Sequence, residues 1–363
     1  MPPADSLGVG ALAPLSAPGL VPAGRHLRAG LELAVEDVSE AGGIRSRPID
    51  LVVADSAGDP ARAVEAFEAF CADGVVGVVG EYHSMVATRL AERADALQLP
   101  FICSSATLAD LCSRPTDLVA RLAAPQSLGW RIYAEQLLAA GHRHVALALH
   151  PDRYWSSGAN VLETRLRAGG ARCTAVETSG LSVEQVVERV AALDVDMLLL
   201  LVGFPEPLAS IVRTVRSHDH LAGLALGDPA GRAEFTEWSS VVGDAAGPVP
   251  YLRYRPTRLT DLGARAWDRL TRRLGEAPSF VALEGYDTVQ LLTAGLHQRA
   301  DRTGLRDALP RVHAQGTRGP LSLVRPPGSH ILELLSPPVQ VVAGAANSQV
   351  TVLHEGSSPS SPR

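Results

Sequence analysis

From residue 7 onward, short apolar runs alternate with stretches whose apolar positions recur at helical spacing. Residues 7–12 are nearly unbroken in apolar and small side chains and predict a buried strand. Leu27, Leu31, Ala34, Val35 and Val38 then fall on one helical face, and Gly42-Gly43 ends that helix. Residues 49–54 predict a second strand. Asp59 followed by Pro60 supplies an N-cap and a first-turn proline for a helix that buries Val64, Phe67 and Phe70. Residues 75–79 predict a third strand. Ser84 stands where the next helix starts, ahead of Val86, Leu90 and Leu97. Residues 99–102 and 118–122 predict two more strands. This βα alternation implies an α/β fold, a parallel sheet with helices on both faces.

The alternation restarts after Ala123-Ala124-Pro125-Gln126. The pattern predicts a helix over 127–140, a strand over 144–149, a helix over 156–167 and a strand over 173–177. Ser182 and Gln185 form a capping box before the following helix. Residues 197–202 are the most apolar strand of the chain, a helix follows Pro205, and 222–226 is a further strand. Gly247-Pro248-Val249-Pro250 breaks the pattern. Helices over 259–274 and 279–298, a shorter one over 305–309, and strands over 320–324, 331–335 and 339–342 complete the reading. The segment 346–363, ending in serine, glycine and proline, reads as a disordered tail.

A length of 363 residues suits about two domains, and 46% apolar content suffices for sizeable cores. The net charge of -6, with no basic block, excludes a nucleic-acid partner. The chain contains no lysine, which excludes Schiff-base and P-loop lysine chemistry. Cys71, Cys103, Cys112 and Cys173 form no CxxC pair, so no metal site or cofactor is implied. Cys71 and Cys103 read as core thiols; a Cys103–Cys112 loop disulfide stays open. No apolar run is long enough to span a membrane. The opening residues lack a basic region and a long apolar core, so the sequence as written reads as cytoplasmic, or as extracytoplasmic if an export segment precedes it.

Candidate chemistry collects where strands run into small polar residues. Ser84 after the third strand, and Ser104-Ser105-Ala106-Thr107 after the fourth, would sit at the carboxyl ends of parallel strands, where α/β sheets bind ligands. The alternative is an N-cap and a plain turn. His83 reads as a loop-surface residue or a pocket donor. Tyr154 and Trp155 are adjacent aromatics in a polar loop and cannot both face a helix core, which places one of them in a ligand pocket. His142, His144 and His150 flank one strand and read as strand-edge residues. Asp228 reads as a helix N-cap or as a ligand group. Glu284 and Asp287 share a helix and read as salt-bridging residues. No triad, paired carboxylates or metal spacing supports an enzyme.

Taken in order, several segments resemble the type I periplasmic binding proteins, in the branch that binds branched-chain amino acids and amides. They are Ala13-Pro14-Leu15-Ser16-Ala17-Pro18-Gly19, Ala41-Gly42-Gly43-Ile44, Asp55-Ser56-Ala57-Gly58-Asp59-Pro60 and Pro100-Phe101-Ile102 with Ser104-Ser105-Ala106-Thr107. Pro278-Ser279-Phe280, Gly285-Tyr286-Asp287-Thr288-Val289 and Gly316-Thr317-Arg318-Gly319-Pro320 follow. The resemblance implies two Rossmann-like lobes joined by three crossings: residues 1–122 plus 248–330, and 123–247 plus 331–345. It implies a ligand in the cleft between them and hinge closure on that ligand.

Carried over, the family's site falls on Tyr82, Ser84, Ser105, Ala106 and Thr107 from the first lobe, and on Tyr154 or Trp155, Phe204 and Asp228 from the second. Asp228 would pair with a ligand ammonium. His83 before Ser84, and Tyr154-Trp155-Ser156 in place of an aromatic–glycine pair, depart from the family pattern and leave the ligand open. The implied role is non-enzymatic binding of a small polar molecule, as in the substrate-binding component of an ABC importer with a permease partner. The alternatives are a cytoplasmic sensor acting on a regulatory protein, and an enzyme built on this scaffold.

Overall fold

In the computed structural model, which describes residues 6–243, 247–344 and 351–355, the chain opens with β1 (Leu7–Ala13), buried along its whole length. There follow α1 (Val21–Glu40), β2 (Ile49–Asp55), α2 (Pro60–Ala72), β3 (Gly77–Gly80), α3 (Ser84–Leu97), β4 (Phe101–Cys103) and β5 (Val119–Arg121). Asp59 caps α2 through the Ala61 and Arg62 N–H groups, ahead of Pro60.

Next come α4 (Gln126–Ala139), β6 (His144–Leu149), α5 (Arg153–Ala168), β7 (Arg172–Glu177), α6 (Val183–Ala191) and β8 (Met197–Leu201). The run continues with α7 (Leu208–Ser217), β9 (Ala225–Gly227), α8 (Thr236–Val242) and β10 (Val249–Arg253). After them lie α9 (Asp261–Leu274), α10 (Phe280–Leu296), α11 (Arg302–Ala308), β11 (His313–Gln315), β12 (Pro320–Val324) and β13 (Leu332–Leu334). The last elements are β14 (Gln340–Gly344) and β15 (Thr351–Glu355).

These elements fall into two units. The first comprises the described residues up to Pro125 and Tyr254–Pro338; the second comprises Gln126–Arg253 and the described residues from Val339. The chain therefore passes from one to the other three times, after Pro125, Arg253 and Pro338.

The first unit holds an eight-stranded sheet in the order β11-β12-β13-β5-β4-β3-β1-β2. From β2 to β13 the pairs are parallel; β12 and β11 add on antiparallel. α10 is buried on nearly all sides, as a central helix must be when it is apolar all round. It packs backbone to backbone on α1: a Cβ on Gly30 would lie 1.9 Å from the Ala282 carbonyl oxygen.

The second unit holds a parallel sheet, β7-β6-β8-β9, and an antiparallel one, β10-β14-β15. Its core gathers Leu198 and Leu200 of β8, Val186 and Val190 of α6, Ile211 and Val215 of α7 and Trp238 of α8. The Ser182–Gln185 capping box is present at the start of α6.

Three sequence expectations need correction. The strand expected over 331–335 was assigned to the second lobe, but β13 pairs in parallel with β5 in the first unit. A buried Arg121–Glu333 ion pair at 2.7 Å locks that register. The break at Gly247-Pro248-Val249-Pro250 does not begin the return to the first unit: β10 stays in the second, paired with β14. Part of the tail expected over 346–363 is ordered. Residues 351–355 form β15 against β14, while 346–350 and 356–363 lie outside the described residues.

All four cysteines are free, so Cys103 and Cys112 form no disulfide. Among the described residues no helix is long and apolar enough to cross a membrane.

Candidate functional site

In the first unit the carboxyl ends of β3 and β4 are tied together by one residue, Glu81. Its predecessor Gly80 adopts φ +104°, and a Cβ there would lie 2.4 Å from the Leu12 carbonyl oxygen, so only glycine fits. Glu81 itself sits at φ +70°, a conformation that costs a non-glycine residue about 1–3 kcal/mol and needs its surroundings to hold it. Several contacts do so. Its N–H donates to the Leu12 carbonyl at 2.7 Å. Its carbonyl accepts the Ser105 N–H at 3.2 Å and the Ser104 hydroxyl at 3.1 Å. Its Oε1 accepts the Tyr82 and His83 N–H groups at 2.9 and 2.8 Å. Oε2 is buried, with the Ser56 hydroxyl beside the carboxyl, and burial pushes the carboxyl pKa up to about 7.

The chain then enters α3 with His83 at the N-cap, and no side chain caps the helix. The first-turn amides therefore remain donors, and the helix dipole favours an anion there. Ser84, buried, uses its hydroxyl oxygen to accept the Thr107 and Leu108 N–H groups, each at 3.1 Å. Its own hydroxyl proton is left for an acceptor. Ser84, Ser105, Ala106 and Thr107 are thus brought into one loop cluster, and Tyr82 lies at its edge with its ring against His83 at 5.4 Å.

His83 is not the surface residue the sequence suggested. Its Nε2 accepts the Leu20 N–H at 3.0 Å, and burial lowers its pKa to about 4. Behind the loop, the Ser105 hydroxyl faces the buried Glu284 carboxyl, which accepts from Arg318 Nη1 at 3.1 Å. Arg318 also donates to Asp287 at 2.9 Å. Glu284 and Asp287 are therefore salt-bridged in the interior.

In the second unit Tyr154 and Trp155 are not in a loop. Asp152 accepts the Trp155 N–H at 2.8 Å and starts α5 at Arg153, so both aromatics lie in its first turn, half-buried. They cluster with Trp130 of α4. The ring centroids are 6.0 Å (Trp130–Tyr154), 6.1 Å (Trp130–Trp155) and 4.9 Å (Tyr154–Trp155) apart. The Arg232 guanidinium lies over Trp155 at 5.1 Å. Phe204 stacks on Trp238 at 6.1 Å, with rings 7° from parallel, and so packs toward the unit's own core.

Asp228 is fully buried. Its Oδ1 accepts from Arg232 Nε (3.0 Å) and Nη2 (2.7 Å) and from the Ala230 N–H (3.3 Å). Its Oδ2 accepts the Arg232 and Ala233 N–H groups at 2.6 and 3.3 Å. Asp228, which the resemblance would pair with a ligand ammonium, forms its ion pair here with Arg232 at 2.7 Å. The spacing of four residues between Asp228 and Arg232 is the local sequence signal for this pair.

His142 and His144 also have structural partners. His142 Nδ1 lies 2.9 Å from Asp196, and His144 contacts the Asp194 carbonyl and Thr174, both at 3.1 Å. Among the described residues no group of three or more His, Cys, Asp or Glu is placed to hold a metal ion.

A family model described as periplasmic binding protein matches residues 6–335. The Leu/Ile/Val-binding protein BraC3 of Rhizobium johnstonii is 25% identical over 296 residues, covering 80% of this chain and 78% of the relative. A leucine binding protein of Thermotoga maritima superposes with a TM-score of 0.82 at 15% identity, over 96% of this chain and 98% of its own. A solute binding protein of an ABC transporter from R. palustris, solved in complex with benzoate, superposes with a TM-score of 0.78 at 19% identity, over 97% of each chain. At these identities the two superpositions speak to the fold.

Proposed function

The chain belongs to the periplasmic binding protein family, and from that premise we propose that it binds a small molecule bearing a carboxylate or amide, without turnover, for delivery to an ABC permease. The observation that carries this reading is the open start of α3 beside the β4 loop. Uncapped first-turn amides and the Ser84 hydroxyl proton stand together, a set of donors that suits an oxygen-rich ligand group. Tyr82, Ser105, Ala106 and Thr107 border the same place. In the second unit, Tyr154 and Trp155 offer apolar surface at the strand-end side of β6. The names of the relatives, which include Leu/Ile/Val-binding proteins and a benzoate complex, support ligands of this size. The family is typically extracytoplasmic, and we place the chain there. Cell fractionation that recovers it only with cytoplasmic markers would contradict that location.

A thermal-shift screen of the purified protein against carboxylic acids, amino acids and amides tests the binding reading. A ligand at about 100 times its Kd adds ~2.7 kcal/mol of stability. With the best ligand, Ser84→Ala and Thr107→Ala should each weaken binding by ~1–3 kcal/mol. Unfolding of each ligand-free variant separates lost binding from lost folding. Unchanged affinity in both would remove the first-unit loops from the site.

A further inference from the structure

We propose that Arg232 is the positioning residue for Trp155: its buried guanidinium fixes the orientation of the indole that the second unit offers to a ligand. This rests on the binding function proposed above and names the residue behind one of its walls.

Trp155 lies in the first turn of α5 and is half-buried. Its ring meets Tyr154 at 4.9 Å and 74°, Trp130 at 6.1 Å and 43°, and the Arg232 guanidinium, which lies over it at 5.1 Å. Tyr154 belongs to the same turn and is half-buried too, so it cannot anchor its neighbour. Trp130 is fully buried against α5, where a Cβ on Gly158 would lie 2.1 Å from its ring. It fixes one side of the indole. The orientation of the ring face is left to Arg232.

Arg232 is itself held rigidly. Its Nε and Nη2 donate to Asp228 Oδ1 at 3.0 and 2.7 Å, Nη2 also to the Leu200 carbonyl at 2.6 Å, and Nη1 to the Val202 carbonyl. Asp228 is fixed in turn by the Ala230, Arg232 and Ala233 N–H groups. A guanidinium donates only within its plane and keeps its faces for stacking. These bonds therefore set the plane, and a face is left for the indole. The anchor points are the end of β8 and the residue after β9, so the ring is referred to strand ends of this unit's own parallel sheet. The ion pair is 5% and 0% exposed, and a desolvated cation pulls on an aromatic face more strongly than a hydrated one. A buried ion pair adds little stability over well-packed apolar residues. A cation held under a half-exposed indole gives this pair a use that stability does not.

Fluorine NMR of protein labelled with fluorotryptophan tests this, with isothermal titration of benzoate and leucine as probes. The chain has four tryptophans, and the resonance lost in Trp155→Phe is that of Trp155. Asp228→Asn with Arg232→Met removes the cation without stranding a carboxylate, and Arg232→Lys keeps a cation near the ring. Urea unfolding identifies which variants are folded. In the ligand-free double variant the Trp155 resonance should shift or broaden. The tighter-binding probe should lose at least about threefold in affinity, and Arg232→Lys should show a smaller loss. If the double variant does not fold, Arg232→Lys alone carries the test, with a shifted Trp155 resonance and a weakened probe. An unmoved Trp155 resonance, or unchanged affinity in a folded variant, overturns the inference and leaves the binding function standing. So does an affinity loss in Arg232→Lys as large as in the double variant, because packing and not the cation would then be responsible. If wild type binds neither probe, the inference falls with the reading it rests on.

Discussion

His83 Nε2 accepts the Leu20 backbone N–H at 3.0 Å, so the residue that precedes α3 also holds the residue that precedes α1. The bond assigns the ring its tautomer, with the proton on Nδ1, and it requires a neutral imidazole. Burial lowers the ring's pKa to about 4. The folded value is thus below the unfolded value of ~6.5, and the unfolded chain takes up the proton first. Stability from this group is complete above pH ~6.5 and is lost as pH falls toward 4. His83→Leu should cost ~1–3 kcal/mol at pH 7, because the Leu20 N–H loses its acceptor. It should also make the acid-side decline shallower. Urea unfolding at pH 7 and pH 5 measures both, and an unchanged acid slope would remove His83 from the account.

Glu81 works in the opposite direction. Its folded pKa of about 7 exceeds the unfolded ~4.3, so the folded state holds the proton longer. Stability is greatest below pH ~4.3 and falls as pH rises toward 7, by at most ~1.4 kcal/mol per pH unit for this one group. Glu81→Gln keeps an oxygen for the Tyr82 and His83 N–H groups and never ionises. The variant should lose part of the decline between pH 5 and 8 and should at least equal the wild type at pH 8. Glu284, also raised to about 7 by burial, contributes a slope of the same sign. A Glu81→Gln protein with the full wild-type slope would show that Glu81 does not titrate in this range.

What could be read in advance follows from how local each feature is. Strands buried on both faces announce themselves as apolar runs: 144–149 was expected and β6 spans the same residues, and 197–202 became β8 at Met197–Leu201. The capping box at Ser182 and the N-cap at Asp59 lie within a few residues of their partners and were legible too. β10 was missed because Pro250 reads as a breaker, yet its missing N–H is no loss. Its carbonyl accepts the Asp228 N–H at 3.0 Å and the Tyr133 hydroxyl at 2.8 Å. β15 was missed because a short strand in a polar tail is defined only by its neighbour β14. In the candidate site, small polar residues after apolar strands pointed to Ser84 and to residues 105–107. The partners that decide what those loops can do are distant in sequence. His83 lies 63 residues from Leu20, and Glu284 lies 34 from Arg318. No local pattern reveals such pairs.

Arg318 carries the most consequential of these distant contacts. Its side chain is 2% exposed, with Glu284 and Asp287 fully buried beside it. It donates to Asp287 Oδ2 at 2.9 Å, to Glu284 Oε1 at 3.1 Å and to the Tyr254 carbonyl at 3.0 Å. Asp287 Oδ1 in turn takes the Thr317 N–H and hydroxyl at 2.6 and 2.8 Å. One guanidinium therefore serves two carboxyls on a helix whose other residues are mostly apolar. Arg318→Met would keep the volume and leave both carboxyls without a counter-charge, so it should cost ~3–5 kcal/mol. Adding Glu284→Gln should recover part of that loss, because one of the two stranded groups becomes neutral, and the recovery should be larger at pH 8 than at pH 5. Because the Ser105 hydroxyl faces Glu284, Glu284→Gln alone should change ligand affinity more than global stability. Urea unfolding of the single and double variants, with ligand titration of Glu284→Gln, separates the two effects. A loss below ~1 kcal/mol for Arg318→Met, or strictly additive losses in the double variant, would mean that the charges are not coupled as their geometry indicates.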